Sequence, residues 1–83
     1  MNPVQSQKFA TNLQKFLSAK MMKEEERNFT ISVRYEMHSF YMVVENPPVE
    51  WSDFVQLIRT SKLLEVNCKQ FEVLPHNVHI AKK

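Results

Sequence analysis

The sequence predicts a small α+β domain: an N-terminal amphipathic helix, an antiparallel β-hairpin, a second helix and one or two short C-terminal strands. Three observations carry that expectation. Apolar residues recur at steps of three and four through the N-terminal quarter, and a strictly alternating run follows from Phe29 to Met37. Asn46-Pro47-Pro48 then stops the sheet run before a new helical stripe begins. A chain of 83 residues can enclose one core, so residues 1–83 are read as a single domain.

The first helix has a readable start. Asn2 can cap it, and Pro3 then occupies the first helical position, where its missing N–H costs nothing. Phe9, Ala10, Leu13, Phe16, Leu17 and Met21 share one arc of roughly 140° on a helical wheel. The opposite face carries Gln5, Lys8, Asn12, Lys15 and Lys23, with Met22 also on the polar side. Lys20 falls inside the apolar arc, and Glu24-Glu25-Glu26 oppose the negative end of a helix dipole, so the helix is expected to end near residues 23–26.

Phe29, Ile31, Val33, Tyr35 and Met37 alternate with polar residues, whereas Phe40, Met42 and Val44 carry the opposite parity. That break predicts a turn at His38-Ser39, pairing Met37 with Phe40, Tyr35 with Met42 and Val33 with Val44 on one face. The turn lacks the Asn-Gly or Asp-Gly that a two-residue loop prefers. A wider even-numbered loop keeps the same parity, and a single bent strand is the alternative.

After the prolines, residues 49–59 read as a helix, with Trp51, Phe54, Val55 and Ile58 on one stripe and Glu50 and Asp53 at its N-terminal end. Residues 61–69 fit two structures: a helix continued to about Asn67, or a hairpin turning near Cys68-Lys69. Phe71-Glu72-Val73 and Val78-His79-Ile80 read as short strands on either side of Pro75-His76-Asn77, and Lys82-Lys83 as a frayed end. The expected core contains Phe9, Leu13, Phe16, Ile31, Val33, Phe54 and Ile58.

Composition removes several classes of function. Glycine is absent, so glycine-dependent loops are not expected: no P-loop, no dinucleotide fingerprint, no nucleophile elbow and no standard EF-hand loop. The net charge of +2 is too mild to announce nucleic acid or an acidic membrane. A lone Cys68 cannot form an internal disulfide, which suits a reducing cytoplasm, and a cytoplasmic location is expected. No targeting segment is expected, and the longest apolar run, from Phe40 to Val44, is far short of a membrane span.

Cys68, His76 and His79, with His38 arriving from the hairpin turn, are the candidate ligands of a zinc site. Their spacing fits no standard finger, and two solvated histidines near the C-terminus with one buried cysteine acting as a small hydrophobe explain them better. Cys68 has no glycine-supported oxyanion turn beside it, and a pocket of several hundred Å³ is hard to spare in so small a core. Glu50 and Asp53 suit helix-start charges better than an acid–base couple. The expectation is therefore no enzyme, no cofactor, no metal and no small-molecule substrate.

Six Phe, two Tyr, one Trp and five Met exceed what a small one-sided core comfortably hides. Tyr41 and Val43 point away from the Met37/Phe40 face, and on their own face Arg34 is expected to pair with Val43 beside the pair Glu36/Tyr41. This mixture of an aromatic, an aliphatic and both signs of charge is typical of a small protein interface. The competing possibility is that the second helix covers this face through Trp51 and Phe54. The function expected is a non-catalytic protein-binding module: a small inhibitor or adaptor, or a homodimer, with contacts at Arg34, Glu36, Tyr41 and Val43. A mobile-element or phage origin would suit such a chain. The alternative is a nucleic-acid-binding protein using Lys8, Asn12, Lys15 and Lys23 on the first helix.

Overall fold

The computed structural model describes residues 1–48 and 50–83. Helix α1 (Pro3–Ser18) is followed by the strands β1 (Thr30–Glu36) and β2 (Ser39–Glu45), the helices α2 (Trp51–Arg59) and α3 (Lys62–Gln70), and strand β3 (Val78–Lys82). The α+β class is as the sequence predicts. A third helix and the partner of β3 are not. The expected start of the second helix at position 49 lies outside the described residues.

At the start of α1, Asn2 accepts a hydrogen bond from the Gln5 N–H at 2.8 Å, and Gln5 Oε1 accepts one from the Asn2 N–H at 2.8 Å. This reciprocal capping box satisfies two backbone donors that the helix itself cannot. The other end falls earlier than the sequence suggests. After Leu17 the next inward position is Lys20, whose charge cannot enter the core. The chain unwinds at Ala19 through tighter bonds from Lys20 to Leu17 and from Met21 to Ser18. Lys20 instead sets its ammonium 4.8 Å above the Phe16 ring. Arg27 closes the connection by donating from both Nε and Nη2 to the Met21 carbonyl, at 3.2 and 2.7 Å. Lys23 and Met22 therefore lie beyond the helix, and Met22 is exposed.

The hairpin forms, but its register is two residues away from the expected one. Glu36 faces Ser39, Tyr35 faces Phe40, Val33 faces Met42 and Ile31 faces Val44. The turn is Met37-His38, and both residues have positive φ, 50° and 59°, as a two-residue type I′ loop requires. A slip by two preserves which side chains share a face, so alternation alone could not separate the two registers. Met37 is thereby released from the core to the loop tip, where it is exposed. Absence of glycine did not prevent the turn. His38 is held there by Tyr35, whose hydroxyl lies 3.1 Å from His38 Nδ1 and donates to the Phe71 carbonyl at 3.1 Å.

From Lys62 the segment is helical, although not as a continuation of α2, and Ser61 stands just outside the helix. The Ser61 hydroxyl donates to the Ile58 carbonyl at 2.7 Å and accepts from the Leu64 N–H at 3.2 Å. One buried serine thus closes α2 and caps α3. No hairpin turns at Cys68-Lys69. Phe71-Glu72-Val73 is not a strand either, because Phe71 caps α3 and the Glu72 backbone enters the left-handed region with φ 56°. Among the described residues one C-terminal strand remains, β3, which runs parallel to β2 and makes β2 central in the order β1-β2-β3. Lys82 is part of this strand, and the Lys83 N–H donates to the Val44 carbonyl at 2.9 Å, so the end is anchored rather than frayed.

All three helices contribute to one apolar cluster on one face of the sheet. Phe9, Leu13 and Leu17 of α1, Phe54 and Ile58 of α2, and Leu64 of α3 meet Ile31, Phe40, Met42, Val44 and Val78, with Phe29 and Val73 completing it. Phe29 and Phe54 meet edge to face at 5.0 Å, and Phe9 packs on Phe40 at 5.3 Å. Phe16 and Val33, expected in the core, are half-buried at its margin. Gln14 ties α1 to the outer edge of β1: its amide donates to the Phe29 carbonyl at 3.0 Å and accepts from the Ile31 N–H at 3.1 Å. The side chain thus supplies the hydrogen bonds that a neighbouring strand would make there.

Candidate functional site

Because the cluster occupies one side of the sheet, no helix among the described residues lies on the other side. Strand alternation places Ser32, Arg34 and Glu36 of β1, Tyr41 and Val43 of β2, and His79 and Ala81 of β3 there. Trp51 and Phe54 do not cover this face: Phe54 is buried against Phe29, and Trp51 packs against the same inner cluster. The competing three-layer packing is excluded. Tyr41 and Val43, on the central strand, are half-buried by their neighbours, and Arg34, Glu36, His79 and Ala81 are exposed.

Cross-strand register orders these residues into rows. Arg34 stands opposite Tyr41, and Tyr41 stands beside His79. The guanidinium lies 4.7 Å from the Tyr41 ring centre, and the imidazole stacks on that ring at 4.9 Å with planes 16° apart. A cation, a phenol and an imidazole therefore span all three strands, each fixing its neighbour's rotamer. The next row is Ser32, Val43 and Ala81. Two exposed ion pairs flank the rows, Arg34 with Glu36 at 3.2 Å and Lys83 with Glu45 at 3.4 Å. Exposed pairs of this kind contribute little stability. Their effect is to keep the face near electrical neutrality.

The four contact residues expected from sequence, Arg34, Glu36, Tyr41 and Val43, thus lie on one uncovered face, although Arg34 is opposite Tyr41 rather than Val43. His79 completes the row and was missed. Its parity against Val78 and Ile80 was visible, but nothing in the sequence revealed that β3 would lie beside β2 in parallel with His79 level with Tyr41. The basic row expected on α1 is shortened. Lys8, Asn12 and Lys15 are exposed helix residues, whereas Lys23 lies past the helix end, next to Glu24, Glu25 and Glu26.

The candidate metal ligands are scattered across the fold. Cys68 is half-buried on α3, His76 is in the 3-10 turn at Pro75–Asn77, His79 is on the open sheet face and His38 is at the hairpin tip. No three His, Cys, Asp or Glu side chains among the described residues are placed to hold an ion together. Burial pushes the Cys68 thiol above its ordinary range. On the exposed side of α3, a hydrogen bond and the charge of Lys62, followed by the charge of Lys69, hold the Glu65 carboxyl below its ordinary range. No helix among the described residues is long and apolar enough to cross a membrane. Comparison with known proteins yields no relative: no family model, no curated protein and no solved structure matches the chain.

Proposed function

We propose that the protein is a non-catalytic protein-binding module whose contact surface is the open sheet face, with a second copy of the chain as its occupant. The observation that carries this reading is the uncovered Arg34–Tyr41–His79 row with Val43 beside it on the central strand. Tyr and Arg are the residues most often found at the energetic centre of protein interfaces, and here stacking already orders them, which lowers the entropy lost on docking. Charge favours a like partner. Arg34 and Lys83 are matched by Glu36 and Glu45, so two such faces meet without net repulsion. A nucleic acid gains less from a neutral sheet face, and the α1 row of Lys8, Asn12 and Lys15 has lost Lys23 to an acidic neighbourhood.

Sedimentation equilibrium of the wild type and of Tyr41→Ala/Val43→Ser tests the proposal. Self-association is expected to weaken by about 1–2 kcal/mol in the double variant. Its melting temperature should change little when measured dilute enough for both proteins to be monomeric. Unchanged self-association, or a variant that unfolds, contradicts the proposal.

A further inference from the structure

A second feature lies away from the sheet face. Between α3 and the segment that returns to β3 runs a groove of about 810 Å³, within the range of small-ligand sites. Such a volume is hard to spare in so small a core, and the groove is not taken from the core. It lies beside it, where α3 and the Leu74-Pro75 segment diverge. Its floor is apolar: Leu64, Val73 and Val78 are buried beneath it, Cys68 is half-buried, and Leu74 presents an exposed side chain at 57%.

The charges around this floor are not equivalent. Glu65 is already bonded by Lys62 and Lys69. Arg59, at the α2–α3 junction, donates from Nη2 to the Val78 carbonyl at 3.0 Å, and no carboxylate among the described residues pairs with it. That single bond holds the guanidinium at the groove and leaves its other donors free. The C-terminus of α2 and the N-terminus of α3 meet at this point, so their dipoles offset each other and Arg59 sets the local sign. Glu72 follows the other end of α3, about 13 Å of helix away, where it disfavours a second acidic group on a ligand.

We propose that this groove binds a medium-chain apolar monocarboxylate, with the carboxylate on Arg59 and the chain along Leu64, Val73 and Val78. A free guanidinium at one end and an apolar floor behind it match that chemistry, as neither an alcohol nor an amine of the same length would.

The test is a titration of isotope-labelled protein with octanoate, octanol and octylamine, followed by amide and methyl chemical shifts. Octanoate should shift Leu64, Val73 and Val78 saturably and bind about five-fold or more tighter than octanol, with octylamine weakest. In Arg59→Gln the preference for octanoate over octanol should vanish while octanol binding persists. Arg59→Lys should retain part of it. Equal binding of octanoate and octanol by the wild type overturns the proposal, and that comparison does not depend on any variant folding. Shifts that fail to saturate, shifts spread over the whole surface, or a preference that survives in Arg59→Gln overturn it equally.

Discussion

Among the described residues, four that are not glycine adopt positive φ: Met37, His38, Asn46 and Glu72. Each such residue costs of order 1 kcal/mol unless local bonding offsets it. Asn tolerates the conformation, and His38 is compensated through Tyr35. Met37 lacks such a bond and is exposed at 87%. Met37→Asn should therefore raise the urea midpoint by an amount equivalent to about 0.5–1 kcal/mol, with the slope unchanged. An unchanged or lowered midpoint would show that the loop carries no strain at that position. This turn was only half readable from the sequence. The parity break between Met37 and Phe40 located a reversal, but a turn at residues 37–38 and one at 38–39 within a shifted register leave Tyr35, Phe40 and Met42 on the same face. Glycine, the usual marker, was missing.

The elements divide by how local their signals are. Helix α1 was readable from Asn2 to Leu17 because the cap, Pro3 and the apolar arc all lie within it. The early stop at Ser18 depends on where Lys20 can go, which only the packed helix defines. Ser61 is a recognisable capping residue, yet whether it opened a helix or preceded a strand depended on Leu64 reaching the core, a tertiary fact. The partner of β3 was not readable at all, since alternation at Val78–Ile80 gives a face and neither a neighbour nor a direction. Gln14 shows the same limit: nothing in α1 announces that a polar residue beside Leu13 will bond to an edge strand 15 and 17 positions later. Gln14→Ala leaves the Ile31 N–H and the Phe29 carbonyl without these partners, and should cost about 1–2 kcal/mol in denaturant unfolding. It should also speed hydrogen exchange at Ile31 well before amides of β2 are affected. Exchange at Ile31 that matches the wild type would show the Gln14 contact to be dispensable.

For the molecule as a whole, the decisive fact is that, among the described residues, three helices share one side of a three-stranded sheet. A core on one side leaves a second face whose central strand still carries Tyr41 and Val43, and those two were identifiable by alternation from Phe40 and Met42. The sequence did not show whether a third layer covered them, because a two-layer and a three-layer packing have the same alternation until Phe54 is seen against Phe29. The proposed self-association follows from that uncovered face, and its location can be observed without any substitution. An isotope-filtered NOE experiment on an equal mixture of carbon-13-labelled and unlabelled protein detects only protons that touch across two copies. Intermolecular contacts at the Tyr41 ring, the Val43 methyl groups and Ala81 are the expected result. Their absence at concentrations near one millimolar, or their appearance at Met22, Met37 or Leu74 instead, would contradict docking through the sheet.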